Sequence, residues 1–136
     1  MKVLFVAGFA PISRDPAASC DLYIRDLGLP MDPGADYPHT DAIDGVKHFG
    51  LWPLAQAAQS CFGTSEWPAD VPIPQATIEF EVEDVAAAAA ELESRGHQLL
   101  HAARVEPWKQ TVARLLSPEG LLVGLSYTPW LHTEQE

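Results

Sequence analysis

Residues 106–130, EPWKQTVARLLSPEGLLVGLSYTPW, hold two runs rich in apolar and β-branched residues, Gln110–Leu116 and Leu121–Tyr127, on either side of Ser117-Pro118-Glu119-Gly120. Proline at the second and glycine at the fourth position of that tetrapeptide signal a type I turn, so the stretch reads as a β-hairpin. Both strands are apolar almost throughout, which predicts cover on both faces. Trp108 and Trp130 mark the two ends of the hairpin. It is expected to form the wall of a cup.

Upstream of the hairpin the same kinds of signal occur twice. Residues 3–12 read as a strand, followed by Asp15 as N-cap, Pro16 at N1 and a helix to about Leu27 with Gly28 as its stop. Residues 30–41, PMDPGADYPHTD, read as a long surface loop whose length suggests a functional rim. Residues 45–54 return to strand, with His48, Gly50 and Trp52 on one face, and a short helical turn is expected within 55–63. The connector EWPADVPIP, residues 66–74, is too rich in proline for a helix or a central strand.

A second strand then alternates over 76–83, with Ile78, Phe80 and Val82 on one face and Thr77, Glu79, Glu81 and Glu83 on the other. Asp84 caps a helix with a stripe of Val85, Ala88, Ala89 and Leu92, and Gly96 stops it. The two caps are 69 residues apart and the two stops 68, which marks an internal repeat. Neither copy alone has enough surface to bury a core. The expected fold is α+β in one domain: two βαβββ modules, about 1–65 and 75–131, forming a curved mixed sheet around a cup with helices outside.

The duplicated pattern, the run Asp15, Tyr23, Leu27, Gly28, the segment EVEDVAAAAAELESRG and the closing SPEGLLVG resemble the vicinal oxygen chelate superfamily of glyoxalases, extradiol dioxygenases, epimerases and bleomycin-type resistance proteins. The resemblance spans nearly the whole chain. It implies metal ligands seven residues before each capping Asp and four after the closing Gly. Gly8, Thr77 and Gly124 stand there, and the corresponding region of the first module, near Ala55, offers only Gln56 and Gln59. None is a strong ligand, so neither metal nor other cofactor is expected. The resemblance also implies a homodimer, with modules pairing within one chain or across two.

The expected ligand-binding residues are His48, Trp52, Trp67, Thr77, Glu79, Glu106, Trp108 and Tyr127. Tryptophans supply stacking surface for a flat ligand. Glu79 and Glu81 either face the cup as a cation-receptive surface or form the solvated face of an edge strand. His39, His97, His101 and His132 are expected to form no cluster. Three functions stay open: a small-molecule binder that sequesters an aromatic or cationic natural product, as an antibiotic-resistance protein does; an enzyme without the inherited metal site, using His48, Glu79 or Glu106 as acid or base; and a dimeric interaction module. The first is preferred.

A net charge of −11 and a pI near 4.7 disfavour nucleic acid and anionic membranes as partners. Cys20 and Cys61 lack metal-type spacing and read as reduced, buried thiols of a cytoplasmic protein. Lys2 and the following VLFVAGFA look superficially like a secretion signal, but a single positive charge and the early Pro11 favour a first strand. No transmembrane stretch is expected.

Overall fold

The computed structural model describes residues 1–132. Its eight strands are β1 (Phe5–Ser13), β2 (His39–Thr40), β3 (Phe49–Gly50), β4 (Trp52–Pro53), β5 (Ala76–Glu81), β6 (His101–Val105), β7 (Thr111–Leu116) and β8 (Leu122–Tyr127). They form one mixed sheet in the order β2-β3-β1-β5-β8-β7-β6, with β4 also pairing β1. The two modules meet within the chain, where β1 and β5 run antiparallel. In each module the first strand then pairs in parallel with a later one, β1 with β3 and β4, and β5 with β8. The α+β architecture of two modules on a curved sheet is the one expected.

Local chemistry sets the elements. Asp15 and Asp84 both cap as predicted, accepting from the N–H of Ala18 at 3.1 Å and of Ala87 at 3.0 Å. Gly28 and Gly96 end both helical segments at positive φ, +72° and +93°, where a side chain would be strained. The first helical segment is not α throughout: α1 covers Pro16–Cys20 and continues as a π-helical turn over Asp21–Asp26. In that turn the Leu27 N–H reaches the Leu22 carbonyl, five residues back. α2 spans Leu54–Phe62, a longer helix than the short turn expected there, and α3 spans Val85–Ser94. In the quoted hairpin, β7 and β8 pair around Ser117–Gly120, and the turn closes with Gly120 N–H donating to Ser117 O at 3.0 Å.

The strand expected over 45–54 shrinks to two dipeptides, β3 and β4. Between them the Leu51 N–H donates to the Pro38 carbonyl, which continues the register of β3 with β2 by one more residue. The loop from residue 29 to residue 48 thereby lies along the sheet rather than away from it. A second hairpin, β6–β7, turns over Glu106–Lys109, with Lys109 at φ 76°. This turn, opened by Pro107, sets Trp108 at the mouth of the cup.

Two cores lie on opposite faces of the sheet. On the convex face α3 lays Val85, Ala88 and Ala89 against Val82, Ala113 and Leu125. The alanines let the helix approach closely, and burying Val85 alone contributes about 1.5–3 kcal/mol. On the concave face Ala57 and Cys61 of α2 pack with Ala10, Ile12, Trp52 and Leu122, so α2 plugs one end of the cup. Cys61 is buried as expected, but Cys20 is only half-buried because its π-helical neighbours face solvent. Among the described residues no helix is long and apolar enough to cross a membrane.

Candidate functional site

The end of the cup that α2 leaves open is a cavity of about 330 Å³. Strand alternation decides which side chains enter it. β5 sends Thr77 and Glu79 inward, β7 sends Arg114, preceded by Gln110, and β8 is followed in the same phase by Thr128. β1 contributes its Ala7–Ala10 backbone with Phe9. Trp52, Trp108, Trp130 and Tyr37 supply aromatic walls, and His39, Asp41, His48 and Gln56 complete the mouth.

Glu79 sits in the middle of the floor. Its neighbours in register are Gly8 on β1 and Gly124 on β8. A Cβ on Gly124 would come to 3.0 Å from the Glu79 Cγ, so any larger residue there would push the Glu79 side chain. Glu79 Oε1 accepts from Gln110 Nε2 at 3.0 Å, and Gln110 also donates to Thr128 Oγ1 at 2.9 Å and accepts from the Trp108 indole N–H at 2.8 Å. The carboxylate is thus tied to the orientation of an aromatic wall.

Arg114 is fully buried beside it, with its guanidinium carbon 5.3 Å from the Trp52 ring centroid. Nη1 donates to Glu106 Oε1 at 3.1 Å and to His101 Nε2 at 3.2 Å, while Nη2 stands 4.0 Å from Glu79 Oε2. Arg104 Nε donates to the same Glu106 oxygen at 3.4 Å, and Ser60 Oγ donates to the other, Oε2, at 3.3 Å. Burial pushes the His101 imidazole from 6.5 down to about 4, and nearby Arg114 and Arg104 act in the same direction. His101 in the folded protein is therefore neutral, with Nδ1–H donating to Ala102 O and Nε2 accepting. The unfolded chain takes up this proton near pH 6.5 and the folded chain only near 4, so stability falls as pH drops through that window. His101→Gln should flatten the loss between those limits in urea melts run across pH; an unchanged acid limb would remove His101 from the account.

At the mouth, Asp41 Oδ1 meets His48 Nδ1 at 2.7 Å and His48 Nε2 meets the Tyr37 hydroxyl at 2.7 Å. Both ring nitrogens are engaged, so with the imidazole neutral Nδ1–H donates to Asp41 and Nε2 accepts from Tyr37. Burial, then Glu79 and Asp41, push the Tyr37 phenol well above its usual range. The hydroxyl also lies where a Cβ on Gly50 would be, which explains a glycine in that strand. These contacts fasten the long loop over the sheet, together with Gln56 Nε2 donating to Asp36 O at 2.8 Å.

The structure brings His48, Trp52, Thr77, Glu79 and Trp108 to one cavity. Three expected binding residues lie elsewhere. Trp67 packs edge-on against Phe62, centroids 4.9 Å apart, with its indole N–H on Val71 O at 3.0 Å. Its place in the proline-rich connector sends it to the plugged end of the cup. Glu106 is buried beneath the floor as the partner of Arg114. Tyr127 falls on the convex face, out of phase with Thr128, where it stacks on His132 at 4.5 Å. Glu81 is not at an edge either: β5 is a central strand, and Glu81 is fully buried among Ser126, Thr128 and His132. Sequence reading missed Arg114, Gln110, Tyr37, Asp41 and Thr128. The first two were available from alternation, since a charged residue inside an otherwise apolar strand must find a buried partner.

A metal ion of the kind the resemblance implies does not fit these residues. Gly8 and Gly124 offer no ligating side chain, and the Thr77 hydroxyl donates to Leu122 O at 2.9 Å. Among the described residues no three His, Cys, Asp or Glu converge to hold a metal ion.

No family model matches the sequence, and no curated protein matches it. Solved structures do resemble it. One is a glyoxalase/bleomycin resistance protein/dioxygenase superfamily member from Vibrio splendidus 12B01, at TM-score 0.58 and 15% identity over 93% of this chain and 100% of that one. Another is Streptomyces coelicolor methylmalonyl-CoA epimerase in complex with 2-nitronate-propionyl-CoA, at TM-score 0.57 and 16% identity over 93% of this chain and 99% of that one. A methylmalonyl-CoA epimerase in complex with methylmalonyl-CoA and NH4+ matches at TM-score 0.53 and 15% identity over 93% and 96% of the two chains. Two modules on one curved sheet, capped and stopped alike, thus give this chain the vicinal oxygen chelate fold of the glyoxalase/bleomycin resistance protein/dioxygenase superfamily.

Proposed function

We propose that the protein binds a flat aromatic small molecule in this cavity without transforming it, and that it sequesters a natural product such as an antibiotic. The observation that carries the reading is the set of aromatic walls, Tyr37, Trp52, Trp108 and Trp130, around a cavity of about 330 Å³, the size range of small-molecule sites. Stacking on such walls supplies affinity without catalysis. Two of the three acid–base candidates are already engaged within the protein, and Glu79 is tied through Oε1 to Gln110. Both nitrogens of His48 are hydrogen-bonded, and Glu106 is buried in an ion pair. The net charge of −11 and Asp41 at the mouth favour a ligand that carries a weakly basic group at its outer end.

A thermal-shift screen of aromatic natural products tests this, since a ligand that binds only the native state raises its melting temperature. The compounds that stabilise the protein should lose about 1–3 kcal/mol of affinity with Trp108→Ala, the range for losing a well-packed aromatic contact. Trp108 is 44% exposed, so the substitution leaves the core intact. Each compound should be recovered unchanged after prolonged incubation. Chemical conversion of a stabilising compound, or stabilisation that Trp108→Ala leaves untouched, would defeat the proposal.

A further inference from the structure

The Arg114 guanidinium has buried donors with nothing to donate to. Among the described residues Nε and Nη2 have no hydrogen-bond partner, although both are buried and the side chain belongs to the cavity lining. Leaving such a donor unpaired costs the desolvation of the group with nothing to offset it. Arrangements of this kind persist where another molecule completes them. The neighbouring carboxylate is incomplete in the matching sense. Glu79 Oε1 is taken by Gln110, while Oε2 has only the Arg114 Nη2 contact at 4.0 Å, beyond hydrogen-bond range.

We propose that Arg114 and Glu79 form a donor–acceptor couple in the cavity floor that reads a neutral hydroxyl or lactam edge on the bound molecule. This inference rests on the small-molecule reading above and specifies the ligand's inner end. An oxygen placed about 2.8 Å from both Nη2 and Oε2 spans the 4.0 Å gap at an angle of roughly 90° and makes two ordinary hydrogen bonds. A hydroxyl there accepts from Arg114 and donates to Glu79. A lactam does the same with its carbonyl and its N–H. Gly124 beside Glu79 leaves that side chain its room, since a Cβ there would come to 3.0 Å from the Glu79 Cγ.

Charge selects a neutral group over an ionic one. The guanidinium already faces Glu106 at 3.1 Å and Glu79 at 4.0 Å. A ligand carboxylate would add another negative charge beside Glu79, and an ammonium would sit against Arg114 with a donor where an acceptor is needed.

Calorimetric titration with five naphthalene-sized probes decides the matter: 2-naphthol, 2-quinolinone, 2-methoxynaphthalene, 2-naphthoate and 2-naphthylmethylammonium. The first two should bind at least about tenfold more tightly than the other three, the ratio expected for one satisfied buried pair. That advantage should shrink to within about threefold in Glu79→Leu, and likewise in Arg114→Lys, which keeps the charge opposite Glu106 but not the reach to Glu79. Thermal melts of each variant establish that it is folded at the titration temperature. Equal affinities across the five probes, or a preference for the naphthoate or the ammonium, overturn the couple and leave binding in the cavity standing. Binding by none of the five overturns both readings.

Discussion

Arg114→Met will destabilise the protein by about 3–5 kcal/mol in urea denaturation, because it strands the Glu106 carboxylate in the interior without its main partner. Among the described residues the only other cation on Glu106 is Arg104, at 3.4 Å and with a 40% exposed side chain, which cannot replace a fully buried guanidinium. The loss belongs to the broken pair and not to the shape of the site. Adding Glu106→Leu to Arg114→Met should therefore restore much of the stability, since a well-packed apolar pair often equals a buried ion pair. A single-variant cost below about 1 kcal/mol, or a double variant worse than the single, would contradict this account of the floor.

Glu81→Ala will cost about 3 kcal/mol and will also weaken ligand binding. Its carboxylate accepts from the Thr128 N–H at 2.5 Å, the Thr128 hydroxyl at 2.9 Å and the Ser126 hydroxyl at 3.1 Å, and meets His132 Nε2 at 2.6 Å. Removing the carboxylate leaves buried donors unsatisfied, each with its own desolvation cost. Glu81 also fastens residues 128–132, a stretch that carries Trp130 and Leu131 to the cavity. Glu81→Gln keeps an acceptor in place and should lose clearly less. A drop in near-ultraviolet circular dichroism from the Trp130 environment should accompany the Ala variant; full stability with unchanged dichroism would show that the carboxylate is dispensable.

These two residues show where sequence reading succeeded and where it stopped. The caps at Asp15 and Asp84 and the stops at Gly28 and Gly96 are local signals, because each satisfies backbone groups within a few residues of itself. Two copies at nearly constant spacing were enough to imply the duplicated sheet. Alternation put Thr77 and Glu79 on one face, since period two is intrinsic to a strand, but left open whether that face was the cup or a solvated edge; the central position of β5 turns it to the cup.

The first module resisted the same reading. Its strands depend on pairings that only tertiary structure supplies: His39–Thr40 is a strand because β3 lies beside it, and Asp41 and Tyr37 matter because His48 comes between them. The loop over 30–41 was legible as a rim by its length, but its hydrogen bonds were not. Tyr127 was misplaced for a simpler reason. Thr128 shares the phase of Gly124 and Tyr127 does not, so alternation sends Thr128 to the cavity and Tyr127 to the opposite face. Arg114 stands in a strand that is apolar almost throughout, and its charge is the strongest sign in that strand of a built site.

The most direct test of the central claim, that the open end of the cup is a binding site for a flat molecule, is a crystal structure of the protein with the compound that stabilises it most in the thermal-shift screen. The predicted result is one unmodified ligand in the cavity, its ring against Trp108 or Trp130 and its inner polar edge within hydrogen-bond distance of Arg114 Nη2 and Glu79 Oε2. A ligand bound outside the cavity, or a transformed product within it, would contradict the account.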